Sequence, residues 1–386
     1  MIEQKYYLVV SVIIPMFNAG KYVADCLESL LAQTFQNFEV IIVDDCSTDN
    51  SVDIVKSYAQ KFGGRLNIYH MDKNSGSGAL PRNKGVNFSR GEYIFFMDAD
   101  DVILPTALEE LYTLAKNFDA DVVSCEKYYT STGTGQEFLN NIRFAEVLVQ
   151  TPPFVDKPIF ETYDLAERVK GILMGRFLVT PWSKFVRRNL IFEYEIFFPH
   201  CKISEDDIWT YGLVFYAKRF LRVPNVIYIL RMSETSVSGI KKTPQQTINF
   251  WLNPVLLGLK SLDNLLSRHE FFKKDRKYRY AVLEAFLCTR FKCFFQESMQ
   301  LSPFEIYWTI KETFGEKLSD YNVLISTLCA VLNAYQKVSF TTKQNSDEAA
   351  AQAQARISEL EKINLENKAY ISALEKFIIE SNRKDG

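Results

Sequence analysis

The 386-residue sequence predicts an α/β fold built on a mostly parallel sheet. Three observations predict it. Short β-branched apolar runs recur, of the kind found in strands buried on both faces. Segments with helical spacing separate them, which implies parallel strands joined by right-handed crossovers. The strands also run into polar residues at their carboxyl ends, where open α/β sheets bind ligands.

Leu8 to Pro15 (LVVSVIIP) is the first such run, with Asn18 just beyond it. Lys21 to Thr34 follows with Tyr22, Val23, Leu27, Leu30 and Leu31 at helical spacing. Phe38 to Val43 is the second strand and ends at Asp44 and Asp45. Ser47 to Ser51 supplies N-cap residues for a helix over Val52 to Phe62. Leu66 to Met71 is the third strand, followed by a glycine-rich loop from Asn74 to Gly78 and a short helix over Arg82 to Ser89. Tyr93 to Met97 is the fourth, and Asp119 to Cys125 reads as a fifth. Tyr129 to Pro158 lacks periodicity and reads as irregular and substrate-facing. Thr180 to Phe185 reads as a turn entering a strand, and Glu205, Asp206 and Asp207 precede an amphipathic helix. Val226 to Leu230 is a strand, followed by Arg231 and a polar loop holding Ser236 and Ser238.

The fourth strand ends in Asp98-Ala99-Asp100-Asp101. Clustered carboxylates at the end of an apolar strand are costly unless a cation offsets them. Side chains two apart on a strand point the same way, so Asp98 and Asp100 form a candidate site for Mg²⁺ or Mn²⁺, which take oxygen donors. Asp100 or Asp101 as the cap of a helix near Thr106 is the competing reading.

The formal net charge of −2 lacks the basic imbalance of a nucleic-acid binder. Seven cysteines without a Cys-x-x-Cys pair suggest neither a zinc cage nor a disulfide framework. With three histidines (His70, His200 and His269), a histidine metal site is disfavoured. The Gly76-Ser77-Gly78 run lacks the third glycine of a dinucleotide fingerprint. Neither a signal peptide nor an apolar stretch of about 18 residues is evident, so the expected location is cytoplasmic, with contact at the inner face of the membrane left open.

The chain divides into an α/β domain over 1–240, a helical domain over 241–342, and a linker with a C-terminal helix over 343–386. Phe271, Phe272, Phe286, Phe291, Phe294 and Phe295 read as core of the second. The last segment has a heptad with Ile357, Asn364, Ile371 and Ile378 at one seam position and Leu360, Asn367, Leu374 and Ser381 at the other. Such a seam suits a coiled coil that makes a homo-oligomer, and core asparagines fix register; a tail helix docked on its own protein is the alternative.

Taken in order, Val12-Ile13-Ile14-Pro15 with Asn18, Val43-Asp44-Asp45-Cys46-Ser47-Thr48-Asp49, Asn74 with Gly76, Arg82-Asn83-Lys84-Gly85, Asp98-Ala99-Asp100-Asp101 and Glu205-Asp206 resemble the motifs of family 2 glycosyltransferases over residues 8–240. Within that family the chain resembles bacterial enzymes of capsule, O-antigen and lipooligosaccharide synthesis. The resemblance implies a GT-A, Rossmann-like domain that transfers a sugar from a UDP-sugar, with inversion, to a glycan or lipid-linked glycan. It implies that Asp45, supported by Asp44, accepts the uracil N3–H, that Pro15 and Asn18 frame the nucleotide, and that Arg82 and Asp98 contact it. Asp98 and Asp100 would hold Mn²⁺ or Mg²⁺, and Asp206 would be the general base. Trp182, Lys184 and Glu205 are acceptor-site candidates, and Arg231, Ser236 and Ser238 would close over the diphosphate. Cys46 stands where relatives often carry glycine, which suggests a turn without positive φ. A sugar-nucleotide nucleotidyltransferase and a non-catalytic scaffold are the alternative functions.

Overall fold

In a computed structural model that describes residues 8–144, 155–232 and 243–298, the apolar runs named above within those residues form strands and the periodic segments within them form helices. The chain runs β1 (Val10–Met16), α1 (Val23–Leu31), β2 (Phe38–Asp44), α2 (Ser51–Tyr58), β3 (Leu66–His70), α3 (Ala79–Phe88) and β4 (Tyr93–Phe96). It continues through β5 (Val102–Ile103), α4 (Ala107–Asn117), β6 (Val122–Ser131), α5 (Gly135–Asn140), β7 (Arg143–Phe144), β8 (Ile159–Phe160), α6 (Leu165–Leu173), β9 (Lys184–Arg187) and α7 (Arg188–Glu193). Then come α8 (Glu205–Tyr216), β10 (Phe220–Arg231), α9 (Pro244–Arg268), α10 (Glu270–Lys274) and α11 (Arg276–Ser298).

The strands form one sheet in the order β3-β2-β1-β4-β9-β6-β10-β5, with β7 on β6 and β8 on β10. β3, β2, β1 and β4 pair in parallel. β9 then enters antiparallel to both β4 and β6, and β6 pairs in parallel with β10. The sheet is therefore mixed, where the sequence predicted a mostly parallel one. β9 is the reason: a short strand carries no mark of its direction, and its neighbours decide it.

Period-two alternation sends β1 to two cores. Val10, Val12, Ile14 and Met16 join one buried cluster with α1 and α4. Ile13 faces the other, with α3 and α8. A Cβ on Gly85 would lie 2.3 Å from Ile13 Cγ2. The glycine of the Arg-Asn-Lys-Gly motif therefore lets α3 lie flat on β1, which sets the height of Arg82 above the strand ends.

Leu262, Leu265, Leu266, Phe272, Val282 and Phe286 share that second cluster with Ile41, Phe96 and Trp209. The boundary expected at 240/241 thus falls within one compact unit that ends at Glu297. Phe272 and Phe286 are buried as expected. Residues 129–144 are more regular than predicted, because β6 runs to Ser131 and α5 and β7 follow. The heptad helix, the rest of the helical domain and the loop with Ser236 and Ser238 lie outside the described residues.

Candidate active site

The exits of β1, β2 and β4 and the start of α3 meet at one cleft of about 650 Å³. Its wall includes Pro15, Asn18, Asp45, Arg82, Asp98 and Asp100. Residues up to 85 positions apart in the chain thus share a single crevice beyond the carboxyl ends of the strands.

The β1 and β2 exits are stitched to each other. Asn18 Oδ1 accepts from the Thr48 N–H at 2.8 Å, and the Asn18 N–H donates to Ser47 Oγ at 2.9 Å. Asn18 and Cys46 both adopt left-handed backbone, with φ of 49° and 65°. The expectation for Cys46 is therefore corrected: the turn does need positive φ, and a non-glycine residue supplies it. Such a conformation costs on the order of 1–3 kcal/mol. It is held by flanking backbone bonds from Asp45 N to Met16 O and from Met71 N to Asp44 O, both 2.8 Å. The Cys46 thiol also donates to Met71 O at 3.3 Å.

Asp45 lines the cleft, whereas Asp44 lies behind it. The Asp44 carboxylate accepts from the Ser47 N–H at 3.2 Å and sits 3.1 Å from His70 Nδ1. Asp45 faces the loop after β3, and Ser75 N lies 2.9 and 3.0 Å from its two oxygens.

Arg82, in the first turn of α3, joins two motifs 108 residues apart. Its Nη2 donates to Asp98 Oδ1 at 2.9 Å and its Nη1 to Asp206 Oδ1 at 3.2 Å. Glu205 Oε1 lies 3.7 Å from Nη1. The guanidinium packs over the Phe198 ring at 5.4 Å, and that ring stacks on Trp209 of α8. Asn83 fixes the same loop, exchanging bonds of 2.8 and 2.9 Å with the Phe198 backbone. Burial alone would lower the basicity of Arg82; Asp206, Asp98 and Glu205 outweigh it and raise it above its ordinary value. Burial in turn raises Asp206 well above the usual carboxylate range, with Glu205 and Asp98 adding repulsion and Arg82 opposing. Glu205 is raised by burial, again with Arg82 opposing.

Asp98, Asp100 and Asp101 have three different surroundings. Asp98 keeps about a third of its side chain exposed, at 31%. Burial, then the charge of Asp98, pushes Asp100 up to about 6. Asp101 is buried and accepts from Tyr228 Oη and from the Arg231 N–H, both at 2.7 Å. None of the three caps α4, whose N-cap is Thr106. Tyr228 also accepts from the Asp98 N–H at 3.0 Å, and Arg231 Nε donates to Asp100 O at 2.5 Å. β10 therefore props the acidic loop from beneath. Arg231 is buried in this support, with Asp25 at 3.0 Å, rather than poised over the cleft. Among the described residues no group of three His, Cys, Asp or Glu side chains is placed to hold a metal ion. The two cleft carboxylates, Asp98 and Asp100, still suit Mg²⁺ or Mn²⁺, which use one or two carboxylates and complete their shell with water and phosphate.

Trp182 and Lys184 do not line this cleft. Trp182 is 6% exposed and stacks on Tyr228 at 4.6 Å, so its ring supports the acidic loop from the core instead of facing solvent. Lys184 is fully buried, and its Nζ donates to Leu178 O at 2.5 Å and Ser183 Oγ at 2.7 Å. Both acceptor-site expectations are corrected for one reason: β9 lies in the middle of the sheet. Burial pushes the Lys184 ammonium down from 10.5 to about 7. The unfolded chain then holds the extra proton between those values, so stability contributed here is present above 10.5 and lost as pH falls through about 7. Lys184→Met is expected to abolish that part of the slope, as read from urea midpoints between pH 6.5 and 10.

Sequence reasoning passed over Tyr228 and Phe198, and gave Ser75 and Asn83 no role although both lie in segments it singled out. What each does depends on contacts that only the fold creates.

Residues 11–179 match Glycosyl transferase family 2. The chain is 32% identical over 242 residues to the uncharacterized glycosyltransferase YibD of Escherichia coli, covering 62% of this chain and 66% of that one. It is 32% identical over 213 residues to the poly(ribitol-phosphate) beta-glucosyltransferase of Bacillus spizizenii, covering 54% of this chain and 30% of that protein. The chain thus spans less than two thirds of either relative. The crystal structure of S. aureus TarS 1-349 in complex with UDP-GlcNAc superposes with a TM-score of 0.56 at 21% identity, covering 85% of this chain and 92% of that one. That likeness establishes a shared fold.

Proposed function

We propose that the chain transfers a sugar from a UDP-sugar, with inversion, to a bacterial surface glycan, a reading supported by the match of residues 11–179 to Glycosyl transferase family 2. The observation that carries this reading is the Arg82 bridge. It holds Asp98, at the donor cleft, and Asp206, at the start of α8, on one guanidinium. A group at the leaving-group side and a carboxylate base on another wall are what single displacement requires.

The roles follow from chemistry. Asp45 presents a carboxylate to the cleft and can accept a base N–H, while Pro15 and Asn18 form the adjoining wall. Asp98 and Asp100 would hold a divalent cation, whose charge stabilises the departing diphosphate when bound. Asp206 takes the acceptor hydroxyl proton. Arg82 binds its Oδ1, fixing the carboxylate and favouring its ionised form, which a base needs at neutral pH. Glu205 stands beside it and, with its charge, orients Arg82. The surface-glycan acceptor is supported by relatives such as the Bacillus enzyme named for poly(ribitol-phosphate). The described helices include none long and apolar enough to cross a membrane.

The test is a thermal shift on the full chain with UDP, CDP and GDP, each with and without Mn²⁺. A ligand at 100 times its Kd stabilises by about 2.7 kcal/mol. UDP with Mn²⁺ is expected to give the largest rise, and the Asp98→Ala/Asp100→Ala pair to lose the metal-dependent part. An equal rise with EDTA in place of Mn²⁺ would remove the cation from the reading.

A further inference from the structure

The loop after β3 was set apart by its sequence, Asn74-Ser75-Gly76-Ser77-Gly78, and received no role from it. In the structure this loop wraps Asp45. The Ser75 N–H reaches both carboxylate oxygens, at 2.9 and 3.0 Å, and Ser75 Oγ lies 2.9 Å from Oδ2. Asn74 Nδ2 donates to the Asp45 backbone oxygen at 2.9 Å, and Asn74 Oδ1 accepts from the Gly76 N–H at 3.0 Å. Gly76, at φ 77°, supplies the left-handed residue that lets the loop fold back. Asp45 lines the cleft together with Asn74, Gly76, Ser77 and Gly78. Ser75 stands behind it.

We propose that Ser75 is a positioning residue that fixes Asp45 as a pure acceptor and so sets the preference of the cleft for uracil over cytosine. The proposal rests on the reading that Asp45 meets the nucleotide base. Ser75 Oγ has one proton and two acceptors in reach, Asp45 Oδ2 and Ser77 O at 2.8 Å. A carboxylate is the stronger acceptor, so the proton goes to Asp45. Two donors from one residue pin the carboxylate plane and leave its remaining lone pairs facing the cleft. Uracil offers an N–H at N3 to such a group. Cytosine offers a lone pair there, and acceptor meets acceptor.

Loss of one hydrogen bond to a charged group corresponds to about tenfold in binding. The experiment is calorimetric titration of the full chain with UDP and with CDP, in Mn²⁺, for wild type, Ser75→Ala, Ser75→Thr and Asp45→Asn. Ser75→Ala is expected to weaken UDP about tenfold and leave CDP unchanged. Ser75→Thr keeps the hydroxyl and is expected to restore the wild-type ratio. Asp45→Asn should lose the preference. If Ser75→Ala keeps the wild-type ratio while Asp45→Asn loses it, the positioning role is overturned and the base contact at Asp45 stands. If Asp45→Asn also keeps the ratio, the base contact itself fails, and the role of Ser75 with it.

Discussion

Replacement of Asp206 by asparagine is expected to lower the transfer rate about 10²–10⁴-fold, the usual contribution of a general base, while UDP binding is retained. Asparagine preserves size and can still accept from Arg82 through its amide oxygen, so the bridge to Asp98 survives. What is lost is the ability to take a proton. The prediction therefore separates chemistry from architecture: the melting temperature and the Kd for UDP stay near wild type as kcat collapses. Equal activity in the variant would move the base elsewhere, and Glu205, also raised by burial, would be the next residue to replace.

Arg82→Leu should damage both stability and rate. Three carboxylates, Asp98, Glu205 and Asp206, face this one guanidinium within 3.7 Å. Removing one partner of a buried pair costs about 3–5 kcal/mol. Asp98 and Asp206 each keep about a third of their side chains exposed, so solvent reduces this to roughly 2–3 kcal/mol. The rate effect has its own cause. Without the cation, burial and the charges of Glu205 and Asp98 push Asp206 further up, leaving less of it ionised at neutral pH. Residual activity of Arg82→Leu is therefore expected to climb with pH more steeply than that of wild type. Arg82→Lys keeps the charge but cannot span two carboxylates in one plane, and should restore stability more than rate. A flat pH–rate profile in Arg82→Leu would count against the electrostatic role.

Much of this site was legible before folding was considered. β-branched runs ending in Asn18, Asp45 and Asp98 announce strands whose exits face one way, and the parallel pairing of β1, β2 and β4 does bring those exits together. Tyr228, by contrast, looks like any strand aromatic. Its hydroxyl matters because β10 passes beneath a loop 130 residues earlier in the chain. Trp182 and Lys184 misled for the converse reason. An aromatic and a cation beside a turn look like a sugar subsite, but β9 pairs on both edges and carries them into the core.

Local chemistry in the chain itself decided the element types and the acidic strand ends, because these depend on neighbours within a few residues. Tertiary structure alone decided that Arg82 would be the common partner of Asp98 and Asp206, that Ser75 would stand behind Asp45, and that Cys46 would bear a left-handed turn. Those outcomes depend on which strand lies beside which and in what direction. No local pattern encodes that, since the deciding contacts form only when distant segments pack on a shared sheet.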